Sequence, residues 1–103
     1  MNDLEKQFHQ AMVNIYVTAK RECNYTATVF IGMVSKHGGL EAARRLLATD
    51  KPSDGFGTLL LHQRLDLSLE AHVIKPKFAE LFTPEEIETA RNRLEEREFQ
   101  FDQ

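Results

Sequence analysis

A chain of 103 residues with 42% hydrophobic, 9% aromatic and 28% charged side chains has room for one hydrophobic core and too much apolar content for a disordered segment. Its formal net charge of −3 makes it a poor generic binder of nucleic acid, because Lys and Arg on phosphates supply most sequence-independent affinity. A single cysteine, Cys23, excludes an intramolecular disulfide and points to a reducing cytoplasm.

The charge is unevenly spread. Residues 1–51 carry 7 Lys/Arg against 5 Asp/Glu, and residues 52–103 carry 6 against 11, so a local basic face in the first half stays open. No apolar run approaches the roughly 18 residues that span a bilayer. "MNDLEKQFHQ" lacks the basic-then-apolar layout of a signal peptide. The expectation is one cytoplasmic domain over residues 1–103, with no contact to a membrane.

Residues 3–22 read as a long helix, with Asp3 as N-cap. Leu4, Phe8, Ala11, Met12, Ile15 and Ala19 recur at three- and four-residue steps. Val13, Tyr16 and Val17 widen that face beyond a simple stripe. Either two sides of this helix pack inside the chain, or Phe8, Met12, Ile15 and Tyr16 meet another chain.

In "CNYTATVFIGMVSKHGG", Asn24 and Thr26 are suitable caps, and Val29, Phe30, Met33 and Val34 mark an inward face. Gly38-Gly39 ends this helix. "LEAARRLLA" starts the next, with Leu40, Ala43, Leu46 and Leu47 inward. Lys36, Arg44 and Arg45 make residues 28–48 resemble a helix-turn-helix. Against that, the would-be recognition helix opens "LEAA", with little to offer a base edge.

"TDKPSDGFG" is the one clear break. Ser53 or Asp54 caps a helix running to about Gln63, with Phe56, Leu59, Leu60 and Leu61 toward the core. In "RLDLSLEAHVI" leucine alternates with polar residues as in a strand, but no second strand exists to pair with it. Helix is therefore preferred, from Ser68 or Asp66 as cap to Lys75, with Leu69 and Val73 inward. "PKFAELF" reads as a single helical turn. "TPEEIETARNRLEEREFQF" opens with a capping box, Thr83 at N-cap, Pro84 next and Glu86 at N3. Its inner stripe is Ile87, Ala90 and Leu94; Phe99 and Phe101 form a tail that docks or frays.

The fold expected is all-α, a compact bundle of six or seven mostly short helices with longer first and last ones. No nucleophile stands beside a base and an orienter in the sequence pattern, so no catalytic residues are assigned. His9, His37, His62 and His72 show no metal-ligand spacing, and neither metal nor cofactor is expected. Asp54, Arg64, Asp66 and Glu70 cluster in the unusual segment, as structural loop residues or as contacts for a small ligand.

The pieces "HGGLEAARRLL", "PSDGF", "RLDLSLE" and "LF" resemble a small, uncharacterised bacterial helical domain family, over about three quarters of the chain. The resemblance implies a shared helical fold and no activity. Gly57 departs from the pattern and loosens the start of its helix. The function expected is that of a non-enzymatic protein–protein interaction or accessory module, binding a partner protein or a second copy. A nucleic-acid-binding regulator using Lys36, Arg44 and Arg45 is the first alternative. A ligand binder or enzyme around residues 52–70 is the second.

Overall fold

Asn2 opens the first helix: its Oδ1 accepts a hydrogen bond from Glu5 N–H at 2.8 Å. The cap is therefore Asn2, one residue before the expected Asp3, and α1 runs Asp3–Cys23. The fold is that of a computed structural model, which describes residues 2–102 and side chains through residue 96. After α1 come α2 (Thr28–His37), α3 (Gly39–Leu47), α4 (Asp54–Leu61), α5 (Leu69–Val73) and α6 (Pro84–Asp102). Two 3-10 turns, Leu65–Leu67 and Pro76–Leu81, flank α5. The described residues contain no strand. The protein is an all-α bundle, and the alternating leucines of "RLDLSL" are split between a turn and a cap.

The core gathers on α1. Phe8 and Met12 are completely buried, and Ile15 and Ala19 nearly so. The Phe8 ring meets Phe78 and Phe82 edge-on, each at 5.1 Å, an arrangement the ring quadrupoles favour. Val34, Ala42, Ala43 and Leu47 close over α1 from α2 and α3, and Val73, Leu81 and Ala90 from the other elements. The broad apolar face of α1 is thus packed on two sides. Burying each such large side chain contributes about 1.5–3 kcal/mol.

One close approach fixes how α1 meets α3. A Cβ on Gly39 would stand 2.7 Å from the His9 Cα, so only glycine fits. The His9 Nδ1 accepts a hydrogen bond from Gly39 N–H at 2.9 Å, satisfying a first-turn donor of α3. Gly38 makes the turn with φ +84°, a left-handed conformation that costs glycine little.

Elsewhere the capping residues decide the boundaries. Ser53 Oγ accepts from Phe56 N–H at 3.3 Å and Ser68 Oγ from Ala71 N–H at 3.2 Å, so both serines, and neither aspartate, start α4 and α5. The capping box of α6 forms as read: Thr83 Oγ1 accepts from Glu86 N–H at 3.1 Å, and Thr83 N–H donates to Glu86 Oε1 at 2.8 Å. Three expectations need correction. Asn24 ends α1 in the left-handed region (φ 52°) instead of capping α2, whose N-cap is Ala27 with no side-chain bond. Leu61 is 85% exposed, because Phe56 and Leu59 take the inner face of α4 and a residue two further on points away. The left-handed Gln63 (φ 59°) then ends the helix early. The side chains of Phe99 and Phe101 lie outside the described residues.

Candidate binding groove

The turn at Asn24 sends the chain across the end of α1, with Tyr25 N–H donating back to Ala19 O at 3.2 Å. Tyr25 thereby comes to rest over Gly55 at the start of α4. Between this crossing, the first turns of α2 and α4, and the start of α5 lies an open groove of about 380 Å³. Its walls are mostly carbon: Ile15 and Ala19 from α1, Phe30 and Met33 from α2, and Phe56 and Leu59 from α4. Leu46, Leu69 and Glu70 also line it. Val29, which also lines it, is 80% exposed.

Phe30, Met33 and Val29 belong to the face expected to point inward. Of that face only Val34 is buried. The reason lies in the packing: α3 and α1 cover the Val34 side of α2, which leaves the adjacent stripe to wall the groove. Sequence periodicity marks a helix face as apolar and does not say whether protein or an opening stands opposite it.

The two serine hydroxyls in the groove are occupied. Ser53 caps α4 and Ser68 caps α5 while donating to Leu65 O at 2.7 Å. The groove has two carboxylates, Asp54 and Glu70. Asp54 is exposed and has no ion-pair partner among the described residues. Glu70 is buried, and its Oε2 accepts from an Arg93 η-nitrogen at 3.1 Å. Burial pushes the Glu70 carboxyl above the ordinary carboxylate range, with Arg93 pulling the other way. Arg93 further donates to Leu46 O at 3.2 Å and Thr49 O at 2.8 Å. One guanidinium from α6 therefore ties together the end of α3, the loop after it and the carboxylate of α5.

The residues singled out in the sequence fall into three places. Phe8, Met12 and Ile15 are in the chain's own core: Phe8 and Met12 have no accessible surface and cannot meet a partner, which corrects their assignment as contacts, and Ile15 keeps only a sliver of surface on the groove floor. Tyr16 is half-buried beside the exposed Val17. Of the basic trio, Arg44 donates to Leu81 O at 2.6 Å and stands 3.7 Å from Glu86, while Arg45 pairs with Glu41 at 3.0 Å. Lys36 is exposed.

The loop quartet divides. Asp54 and Glu70 reach the groove. Arg64 instead grips Asp66 with both ends of its guanidinium, at 3.1 and 3.2 Å, and bonds Glu22 on α1. The hydrogen bonds that Arg64 donates to Asp66 and then to Glu22 raise its pKa, and the bond from Arg64 together with that from Arg21 lowers the pKa of Glu22. Arg64 and Asp66 thus fasten the turn at 65–67 to the end of α1, away from the groove.

Two residues that matter here escaped sequence reasoning. Arg93 occupies the same stripe as Ala90 and Leu94, three residues after Ala90, so its burial was readable from position. Its charge argued the other way. His9 meets Gly39 across 30 residues of chain, and nothing local signals that contact.

No protein-family model matches this chain, and neither the curated proteins nor the solved structures offer a match.

Proposed function

We propose that this chain is a non-enzymatic protein-binding module of the reducing cytoplasm, and that the groove between α1, α2 and α4 is its binding site. The observation that carries this reading is an open, carbon-walled concavity with Val29 80% exposed among its lining residues. Apolar surface gathered in one hollow fits a site that partner side chains fill on binding. The polar groups along it support the same reading. Ser53 and Ser68 cap helices and Glu70 is held by Arg93, so they act in the scaffold.

A small apolar ligand is the second reading, since about 380 Å³ lies at the lower end of the range of ligand pockets, roughly 300–1,000 Å³. Openness favours the protein partner, because a pocket for a small molecule encloses most of its ligand. The nucleic-acid reading keeps less support. Arg44 and Arg45 make intramolecular contacts, which leaves Lys36 as the remaining cation of the trio.

The test is selection from a random peptide library on immobilised wild-type protein, with Val29→Arg as the counter-selection. Val29 is exposed, so the variant keeps its fold and loses an apolar lip. Peptides enriched on wild type and absent from the variant are expected. Equal recovery on both proteins would refute the groove as the site, and an apolar dye that binds where no peptide does would favour the small ligand.

A further inference from the structure

We infer that the groove takes a basic amphipathic helix, with Asp54 supplying the counter-charge; this deepens the protein-binding reading above and rests on it. Charge complementarity comes first. The lining residues include two carboxylates and no lysine, arginine or histidine. Arg93 neutralises Glu70 from behind, at 3.1 Å. Asp54 is exposed with no ion-pair partner among the described residues, so the groove carries one negative charge that the first turn of α4 offsets only in part. A lysine or arginine beside the apolar anchors answers that charge, and an acidic partner meets repulsion there. The uncapped first turn of α2 borders the same groove, but it sets a partial charge against the full charge of Asp54.

Backbone accounting selects the helix. An extended peptide brings unpaired N–H and C=O groups that need partners when buried. This groove offers few in an ordered row: Ser53 and Ser68 already serve as caps, and the described residues contain no strand edge for it to join. What is left is the hydroxyls of Tyr25 and Thr26 and the uncapped first turn of α2. A helix satisfies its own backbone and presents only side chains. Its apolar face, spaced at i, i+4 and i+7, would lie against Val29, Phe30 and Met33, the accessible apolar residues of the groove on α2, over a floor formed by the buried Phe56 and Leu59.

Three labelled peptides test this by fluorescence anisotropy. Two are helix formers of about 16 residues with one leucine face, one flanked by lysine and the other by glutamate. The third is an extended proline-rich peptide with the same apolar content. Targets are wild type, Val29→Arg, Asp54→Asn and Asp54→Lys; Ser53 caps α4, so the Asp54 variants keep their cap. The lysine helix is expected to bind wild type most tightly, to weaken about threefold on Asp54→Asn, and to lose its advantage in high salt. Asp54→Lys should invert the order of the two helices. Equal binding of both helices, unchanged by Asp54→Lys but lost on Val29→Arg, overturns the basic partner and leaves the groove standing. Binding of the proline-rich peptide alone overturns the helix. Binding that Val29→Arg leaves intact for every peptide sinks the groove and this inference together.

Discussion

Replacing Arg93 with methionine removes one side chain and strands several groups at once. Arg93 donates to Glu70 at 3.1 Å, to Leu46 O at 3.2 Å and to Thr49 O at 2.8 Å, and its side chain is 7% exposed against 3% for Glu70. Removing one partner of a buried pair costs about 3–5 kcal/mol, because the other charge is left unsolvated. A small domain has about 5–15 kcal/mol in all, so Arg93→Met should leave the fold marginal. In urea, with a slope of about 1–2 kcal/mol per molar, the midpoint should fall by roughly 1.5–5 M with the slope unchanged.

The pH dependence gives the reasoning a second handle. Burial already holds the Glu70 carboxyl above its ordinary 4.5, and without Arg93 it rises further. The native variant then binds a proton that the unfolded chain releases, so its stability deficit shrinks as pH falls from neutral toward 4.5. The double replacement Glu70→Leu with Arg93→Met should recover the part of the loss that comes from the stranded carboxylate, since an apolar pair of similar size carries no charge to desolvate, and leave the part that comes from the Leu46 and Thr49 carbonyls. Circular dichroism through the urea transition reads all of this. An Arg93→Met variant within about 0.5 kcal/mol of wild type would refute the clamp, because surface substitutions change stability by that little.

Gly39→Ala should destabilise by about 1–3 kcal/mol, because its Cβ meets the His9 Cα at 2.7 Å; Gly32→Ala, mid-helix with nothing within 4 Å, should stabilise by about 0.5–1 kcal/mol. Thermal melts of the pair read the contrast. His72 is pushed down to about 4 by burial first and Lys75 second. The unfolded histidine therefore takes up its proton first, and wild type should lose about 1 kcal/mol relative to His72→Gln as pH falls from 6.5 to 4, after allowing for solvent screening. Leu61→Gln, at a site 85% exposed, should leave the unfolding free energy from urea titration within about 0.5 kcal/mol of wild type.

How legible the chain was depends on the range of the physics involved. The capping box at Thr83–Glu86 and the Gly38-Gly39 turn are local, and the residues themselves dictate them. Residues 65–69 show local pattern losing. Leucine at every second position signals a strand, and with no partner strand the segment divides between a 3-10 turn and the Ser68 cap. The groove lay further from view. Phe30 and Met33 were visible as an apolar face on α2, but which elements cover a face is settled by distant parts of the chain. Arg93 was hidden by its own charge, and His9 by a separation of 30 residues from Gly39.

The most direct test of the groove as a binding site is an amide chemical-shift map of isotope-labelled wild-type protein, titrated with a helical peptide selected on it. The account predicts saturable shifts concentrated at residues 25–33 and 53–59, with the largest near Val29 and Phe56. Shifts confined to the Lys36, Arg44 and Arg45 side of the α2–α3 hairpin would contradict it and move the binding site to that basic surface.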